Sequence, residues 1–375
     1  MATVERILIV GGGIAGLTAA NALHRQGFEA ELVERSPVWP AIGAGITLPA
    51  NGVRILRMLG LDESAEQAGA VLRRWTWCDQ EGGVLFDADL EDWWREVGPS
   101  IGITRPRLQQ VLLAGAAAVP FRLGTAVTSL IQDKERVKVG LSDGSTAYYD
   151  LVIGADGVHS TVRRLVLDAS TPEYTGLTMW RSVVPVRPRG LTNQQILLGD
   201  GRVFGLVSVG DNHTYGFGGA FVPHSDDQLH GRLERVRKRF ADFGGPIQEY
   251  LRALTRDEQL HCGHVELVKN DRWHSGRVVL IGDAAHAGSP TMQEGGCMSM
   301  EDAYVLAEVL RGADTLEQAL DAYIARRKSR IESVQQGSHA VAEMLVLPPD
   351  IRNATLRAAG DSEVRDLYRP LVPAP

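Results

Sequence analysis

Between Arg6 and Val10 the chain reads RILIV, apolar at every position after the first, as expected of a parallel strand buried on both faces. Glycines follow at once, then an Ala-rich helical run, Ile14 to Gln26, closed by Gly27, and a second strand, Ala30 to Val33. This is a βαβ unit. Further on, Leu72–Asp79 and Val84–Asp87 predict a hairpin around Gln80-Glu81-Gly82-Gly83, and Leu108–Ala118 a helix. Short β runs follow at Ala126–Ile131 and Val137–Leu141, with a turn at Asp143-Gly144, then a buried strand at Leu151–Ile153. From Leu177 to Val222 the alternation is mostly β, with turns at Gly199-Asp200-Gly201 and Gly210-Asp211-Asn212. Helical spacing returns from Asp227 to Leu254. A strand at Val278–Ile281 and a long helix after Gly295 follow, and the chain from Thr315 is mainly helical, broken at Pro348-Pro349. Fully apolar strands thus come early, in the middle and late, with a β-rich block between the last two. The pattern predicts an α/β protein of two domains built from interleaved segments.

Composition narrows this picture only modestly. The chain has 375 residues, 44% hydrophobic and 23% charged, within the range of ordinary globular domains. A net charge of −7 carries no footprint for nucleic acid. The Arg-rich run Arg232–Arg239 reads as one solvated helix face. Cys78, Cys262 and Cys297 have no metal-ligand spacing and fit a reduced, cytoplasmic setting; no metal site is expected. No signal-peptide layout is visible, and the apolar stretch Ile7–Leu23 is too broken by glycines for a membrane span.

Three motifs carry the candidate chemistry, each directly after a strand. The first, Gly11-Gly12-Gly13-Ile14-Ala15-Gly16, is a G-x-G-x-x-G: Gly11 for the tight turn, Gly13 for close approach of a pyrophosphate, Gly16 for helix–strand packing. The phosphates would sit at the helix N-terminus. Glu34 closes the second strand, near the expected spacing of about 20 residues, where an acid accepts from a ribose 2′-OH and repels a 2′-phosphate. This leaves FAD and NAD, between which the motif does not choose. The second motif is Gly154-Ala155-Asp156-Gly157-Val158-His159-Ser160-Thr161-Val162-Arg163. The third opens with Gly282-Asp283 and runs through Pro290 to Gly295-Gly296.

With these three motifs in this order, the sequence resembles the class A FAD monooxygenases, the flavoprotein aromatic hydroxylases of the para-hydroxybenzoate hydroxylase type. It looks most like the salicylate hydroxylase and FAD-dependent urate hydroxylase group. The likeness extends from Arg6 to about Tyr323. The fold it implies is a Rossmann-like FAD-binding domain (1–71, 101–172 and 265–340) interleaved with a smaller β-sheet-rich substrate domain (72–100 and 173–264), followed by a helical tail, 341–375. It implies that Gly11, Gly13, Ala15, Gly16, Glu34 and Arg35 hold the ADP half of FAD. Arg105 would reach the middle of the flavin, or else be a surface Arg starting a helix. Val127 would lie by the adenine, Asp156 and Gly157 would serve FAD and nicotinamide, and Asp283 would bind the ribityl chain. Asp156 and Asp283 also suit helix N-caps. Pro290 would stiffen the third loop. Gly295 and Gly296 would let backbone N–H groups reach the ring edge, with the next helix aiming its positive end there. Where the family has x-x-G-Q-G or x-x-A-Q-G after the proline, this chain has Thr291-Met292-Gln293-Glu294-Gly295. Glu294 is expected to point outward, since an inward carboxylate would oppose reduction of the ring.

The reaction implied is hydroxylation of a small aromatic or heteroaromatic substrate by O2, with NAD(P)H as transient co-substrate, through a flavin C4a-hydroperoxide. Only one G-x-G-x-x-G is present. Gly216-Phe217-Gly218-Gly219 lies in a β run with no helix after it, so the nicotinamide has no domain of its own. Trp180-Arg181 resembles a Trp-Arg pair of relatives. Arg181 would clamp a carboxylate or contact cofactor. Tyr215 and His213, on one face by period two, would orient a ring or move a proton. Trp180 and Tyr215 also read as core aromatics, and His213 as a turn residue. His286 is expected to fix the loop. Thr291 stands where urate-hydroxylating relatives have an acid, which argues against urate. The rival activities are a flavin reductase or desaturase without oxygen insertion, and a flavin-loaded binding protein. A halogenase is disfavoured, because Trp75-Thr76-Trp77 lacks the rest of that group's pattern and reads as core. No nucleic acid or membrane partner is expected, and a monomer and a homodimer are both open.

Overall fold

Ile7, Leu8 and Ile9 have almost no exposed surface because the strand Arg6–Val10 lies inside a six-stranded sheet with covered faces. The computed structural model describes residues 4–39, 44–167, 171–225 and 227–375. The order across this sheet is His274–Ser275, Val278–Leu280, Leu151–Gly154, Arg6–Val10, Glu29–Glu34 and Phe121–Leu123. All pairs are parallel except the first. Early, middle and late segments interleave in it, as the continuous apolar runs predict.

A seven-stranded sheet stands beside it, in the order His261–Leu267, Glu173–Val184, Thr214–Phe221, Arg202–Ser208, Gln194–Leu198, Arg74–Asp79 and Val84–Asp89. The pairing is antiparallel apart from Gln194–Leu198 with Arg74–Asp79. The hairpin predicted around Gly82-Gly83 therefore forms the far edge of this sheet. Its glycines serve packing: a Cβ at Gly216 would lie 2.3 Å from the Tyr250 ring, and one at Gly218 2.7 Å from Phe240. A three-stranded sheet, Gly45–Leu48, Ser100–Thr104 and Ala70–Leu72, lies against the inner face of the larger one, where a Cβ at Gly102 would meet the Ser208 carbonyl at 2.1 Å.

The predicted helix over Asp227–Leu254 is two helices, Arg232–Arg239 and Ile247–Ala253, separated at Gly244-Gly245-Pro246. The expected boundary at 341 falls within one continuous helix, Leu316–Leu345, so the tail proper begins at the Pro348-Pro349 break. The last helix, Pro349–Tyr368, packs on the strand Val84–Asp89, with Gly360 against the Phe86 ring. Arg352, fully buried, donates to the Leu198 and Gly199 carbonyls at 2.9 and 2.6 Å. The tail thus packs on the seven-stranded sheet and on the helix Leu316–Leu345. No described helix is long and apolar enough to cross a membrane.

Candidate active site

The three motifs converge because the strands that precede them are neighbours in one sheet. Gly11 has φ +108°, a conformation that favours glycine, and a Cβ there would lie 2.5 Å from the Ala155 carbonyl of the second motif. A Cβ at Gly16 would fall 1.8 Å from the Gly11 carbonyl, so the helix Ile14–Arg25 packs tightly on the turn. Gly13 faces open space instead. Glu34 accepts from Gly12 N at 2.7 Å and Ser36 N at 2.8 Å, which holds its carboxylate beside the helix N-terminus. Thr125 N donates to the Glu34 carbonyl at 2.9 Å and brings the strand Val127–Gln132 alongside, with Val127 itself buried. Arg35 is exposed.

From this turn a cavity of about 420 Å³ runs between the two large sheets. Gly13, Ile14 and Ala15 line one end, and Arg105, Ala155, Gly157 and Asp283 its middle. Pro290, Gln293, Gly295 and Gly296 of the third loop form its floor. Arg181, Tyr215 and Phe217 of the seven-stranded sheet face that loop. A Cβ at Gly295 would meet nothing within 4 Å, so the bare backbone at the start of the helix Gly295–Gly312 looks into free space. The helix N-terminus offers N–H groups and partial positive charge there, and Arg105 and Arg181 add two full charges to the same cavity. Tyr215 is buried, and burial raises its pKa although Arg181 and Arg105 pull it down. Its phenol stays protonated at neutral pH.

These features fit FAD: a turn that only glycine can make, an open approach at Gly13, an acid placed beside it, and a long cavity ending at a helix N-terminus.

Three expectations need correction. Asp156 does not line the cavity. Its carboxylate accepts from Thr161 N at 2.7 Å, Val162 N at 3.1 Å and the Ser160 hydroxyl, and so secures the start of the helix Thr161–Val166. His213 does not reach the site either. Asp211 and Asn212 both have positive φ, the strand starts only at Thr214, and His213 stays in the turn with Nδ1 2.9 Å from the Asp211 carbonyl. Glu294 does not point outward. It is 1% exposed, covered by the helix Ala50–Met58, and Asn51 Nδ2 donates to its Oε2 at 2.9 Å. Its Oε1 has no partner among the described residues. Burial, with Glu301 nearby, pushes its pKa up to about 8. At neutral pH it is mainly a neutral acid, close in shape to the family's Gln, which explains how the replacement is tolerated.

Behind the same loop lies a buried charge cluster that no local pattern singled out. Arg327 donates to Asp302 at 2.8 Å and Glu301 at 2.6 Å, and Arg330 to both oxygens of Glu301. Asp302 accepts from Gly282 N at 2.9 Å and lies 2.6 Å from His286 Nε2, which fixes both ends of the third motif's first turn. Burial opposes ionisation of Asp302, but His286 and Arg327 outweigh it and bring its pKa down to about 2. Arg163 donates to the Ala284 and Val158 carbonyls and joins the second and third motifs. The one signal available was the Glu301-Asp302 pair inside an otherwise apolar helix face.

Comparison with known proteins agrees with this geometry. Residues 5–338 match the FAD binding domain family. The chain is 34% identical over 349 residues to the aurachin C monooxygenase/isomerase of Stigmatella aurantiaca, covering 92% of this chain and 90% of that protein. It is 33% identical over 371 residues to the 3-amino-4-hydroxybenzoate 2-monooxygenase of Streptomyces cremeus, covering 95% and 92%. The structure of Klebsiella pneumoniae HpxO complexed with FAD and uric acid superposes with a TM-score of 0.85 at 28% identity, over 96% of this chain and 93% of that one. The chain therefore belongs to the FAD binding domain family and is an FAD-dependent monooxygenase of the aromatic-hydroxylase group.

Proposed function

We propose that this protein uses NAD(P)H and O2 to hydroxylate a small aromatic or heteroaromatic substrate. The observation that carries this reading is the continuous cavity from Gly13 to the loop Pro290–Gly296, closed on its far side by Arg181, Tyr215 and Phe217. Bound FAD, once reduced, supplies activation of O2 and transfer of one oxygen atom, the other leaving as water. Gly11, Gly13, Gly16 and Glu34 hold its ADP half. Arg105, Asp283 and the Gly295-Gly296 backbone hold the remainder, and the helix N-terminus and the two arginines favour negative charge at the ring.

Tyr215 keeps its proton and therefore acts as a hydrogen-bond donor that orients the ring, not as a base. Arg181 lies on the adjacent strand, two pairs away in register, and orients an electron-rich substrate or the cofactor. The single G-x-G-x-x-G supports a nicotinamide that visits the same cavity and leaves. The test is to follow NADH and NADPH oxidation and oxygen uptake by the FAD-loaded protein over a panel of phenols, aromatic acids and N-heterocycles, with product mass. One ring compound should accelerate both and gain one oxygen atom. NAD(P)H oxidation without any oxygenated product would move the protein to the reductase class.

A further inference from the structure

Glu294 is the N-cap of the helix Gly295–Gly312, whose first residues line the flavin cavity. Its carbonyl accepts from Met298 N at 2.8 Å, so the helical ladder starts here. An oxygen-bearing side chain at this position commonly accepts from the N–H groups of the first turn. The Glu294 carboxyl makes no such bond. It lies behind the loop, 1% exposed, and the first-turn N–H groups are left to the cavity side.

Cys297 and Glu301 face this carboxyl from its own helix, Asn51 from the helix Ala50–Met58, Arg330 from the helix Leu316–Leu345 and Tyr368 from the last helix. Asn51 donates to it, but no cation is bonded to it among the described residues. Arg330 gives its donors to Glu301 and to the Pro370 and Leu371 carbonyls. Arg54, on the covering helix, donates to the carbonyls of Leu371, Val372 and Pro373. A buried carboxylate with no bonded cation, beside the ionised Glu301, is costly, and the neutral acid avoids that cost. Burial pushes the Cys297 thiol and the Tyr368 phenol well up, so both keep their protons. Glu294 is therefore the member of this set that exchanges a proton between neutral and mildly alkaline pH.

A proton on Glu294 leaves the positive end of the helix, equivalent to about half a unit charge, uncompensated. Its loss sets a full negative charge at that end and opposes the negative charge that the ring gains on reduction. Linkage makes the effect reciprocal: what ionisation takes from the reduced ring, reduction returns as a tighter hold on the proton. We propose that Glu294 is a redox-linked proton site, which takes up a proton from solvent when the flavin is reduced in the pH range where the oxidised protein has lost it. The ring gains two electrons and one proton, the carboxylate gains one proton to become the acid, and oxidation reverses both. Glutamine, the residue of the family pattern at this place, has no proton to exchange. Glu294 does not line the cavity and acts through the field of the helix. The inference rests on a ring placed at the Gly295-Gly296 backbone and is independent of the substrate.

The test is the midpoint potential of the FAD-loaded protein, titrated with dithionite against reference dyes over a range of pH, with Glu294→Gln beside the parent. The flavin's own protons affect both alike, so the difference between the two isolates Glu294. That difference should be level at acidic and neutral pH. Above the ionisation of Glu294, near pH 8, the parent should become harder to reduce than the variant by about tenfold in the reduction equilibrium, or ~30 mV for a two-electron couple. The reduced-minus-oxidised infrared spectrum at mildly alkaline pH should gain the C=O stretch of a protonated carboxyl in the parent and not in the variant. Should Glu294→Gln disturb FAD binding, Glu294→Met serves as the second proton-free variant. A potential difference that does not change with pH, a parent that becomes easier to reduce at alkaline pH, or a carboxyl band that persists in the variant would each overturn the inference. No NAD(P)H or substrate is present, so a protein that hydroxylates none of the ring compounds above would lose the proposed function and keep this one.

Discussion

The loop from Gly282 to Gly296 has two faces that solve opposite problems. Its front, toward the cavity, ends in bare backbone: at Pro290, Gly295 and Gly296 it presents main chain and little side chain. Its back is crowded with charge, with Glu301, Asp302 and Arg327 without exposed surface and Glu294 nearly so. A backbone that must offer N–H groups to a ligand cannot anchor itself with side chains on that side. The anchoring is moved behind, where Asp302 takes the Gly282 amide and His286 together. Tyr368, from the last helix, reaches the same loop through the Met292 carbonyl at 2.7 Å. The C-terminal helices are therefore part of the active-site scaffold.

The sharpest way to break this comparison is to remove the central cation of the back face. Arg327→Met removes one of the two arginines on Glu301 and the arginine on Asp302, which keeps His286 and the Gly282 amide, in a site that water does not reach. We expect a loss of about 3–5 kcal/mol in unfolding free energy at neutral pH, measured by urea denaturation. A loss under about 1 kcal/mol would mean that the cluster is not what holds the loop.

Two of the three acids of the back face, Glu294 and Asp302, sharpen the comparison by titrating in opposite senses. For Glu294 the ordinary value is 4.5 and the folded value about 8. The folded state keeps a proton that the unfolded state releases, so stability falls as pH rises from about 4.5 to about 8 and is level above. For Asp302 the ordinary value is 3.8 and the folded value about 2. Its contribution is present above 3.8 and is lost as pH falls through 2. Glu294→Gln should abolish the first slope and keep the second. At alkaline pH the variant should be more stable than the parent by about 1–3 kcal/mol. Unchanged curves across pH 4.5 to 8 would place the Glu294 carboxyl in contact with water.

These predictions also show where sequence reading succeeds and where it stops. The strands before each motif were legible because burial on both faces leaves a continuous apolar run, and the glycines because each answers a local demand of the turn. The cluster behind the loop was not. Its ion pairs join residues 25, 26 and 29 positions apart on two helices, beyond any helical period. Glu294 was misplaced for the same reason: its cover, Asn51, lies 243 positions away. Even His213, a local case, failed, because two positive-φ residues end the period of two that placed it beside Tyr215. The ring cluster of Trp75, Trp93 and Tyr368 draws on three separate elements, and periodicity could say only that Trp75 was covered.

The front face allows the mildest test and the cleanest separation of folding from function. Gly295 begins a helix, its φ lies outside the left-handed region, and a Cβ there meets nothing within 4 Å. By the rules that govern folding alone, alanine is the better residue, since glycine costs roughly 0.5–1 kcal/mol in a helix through the freedom it loses. Gly295→Ala should therefore raise unfolding free energy of the FAD-free protein by up to about 1 kcal/mol. The new methyl occupies the space through which the backbone meets the flavin, so FAD affinity, from fluorescence titration of the apoprotein, should fall by about tenfold, or ~1.4 kcal/mol. Stability and cofactor binding would then move in opposite directions from one methyl group. If alanine leaves FAD affinity intact, the open space at Gly295 belongs to the unliganded cavity alone, and the flavin edge must be met elsewhere on the loop.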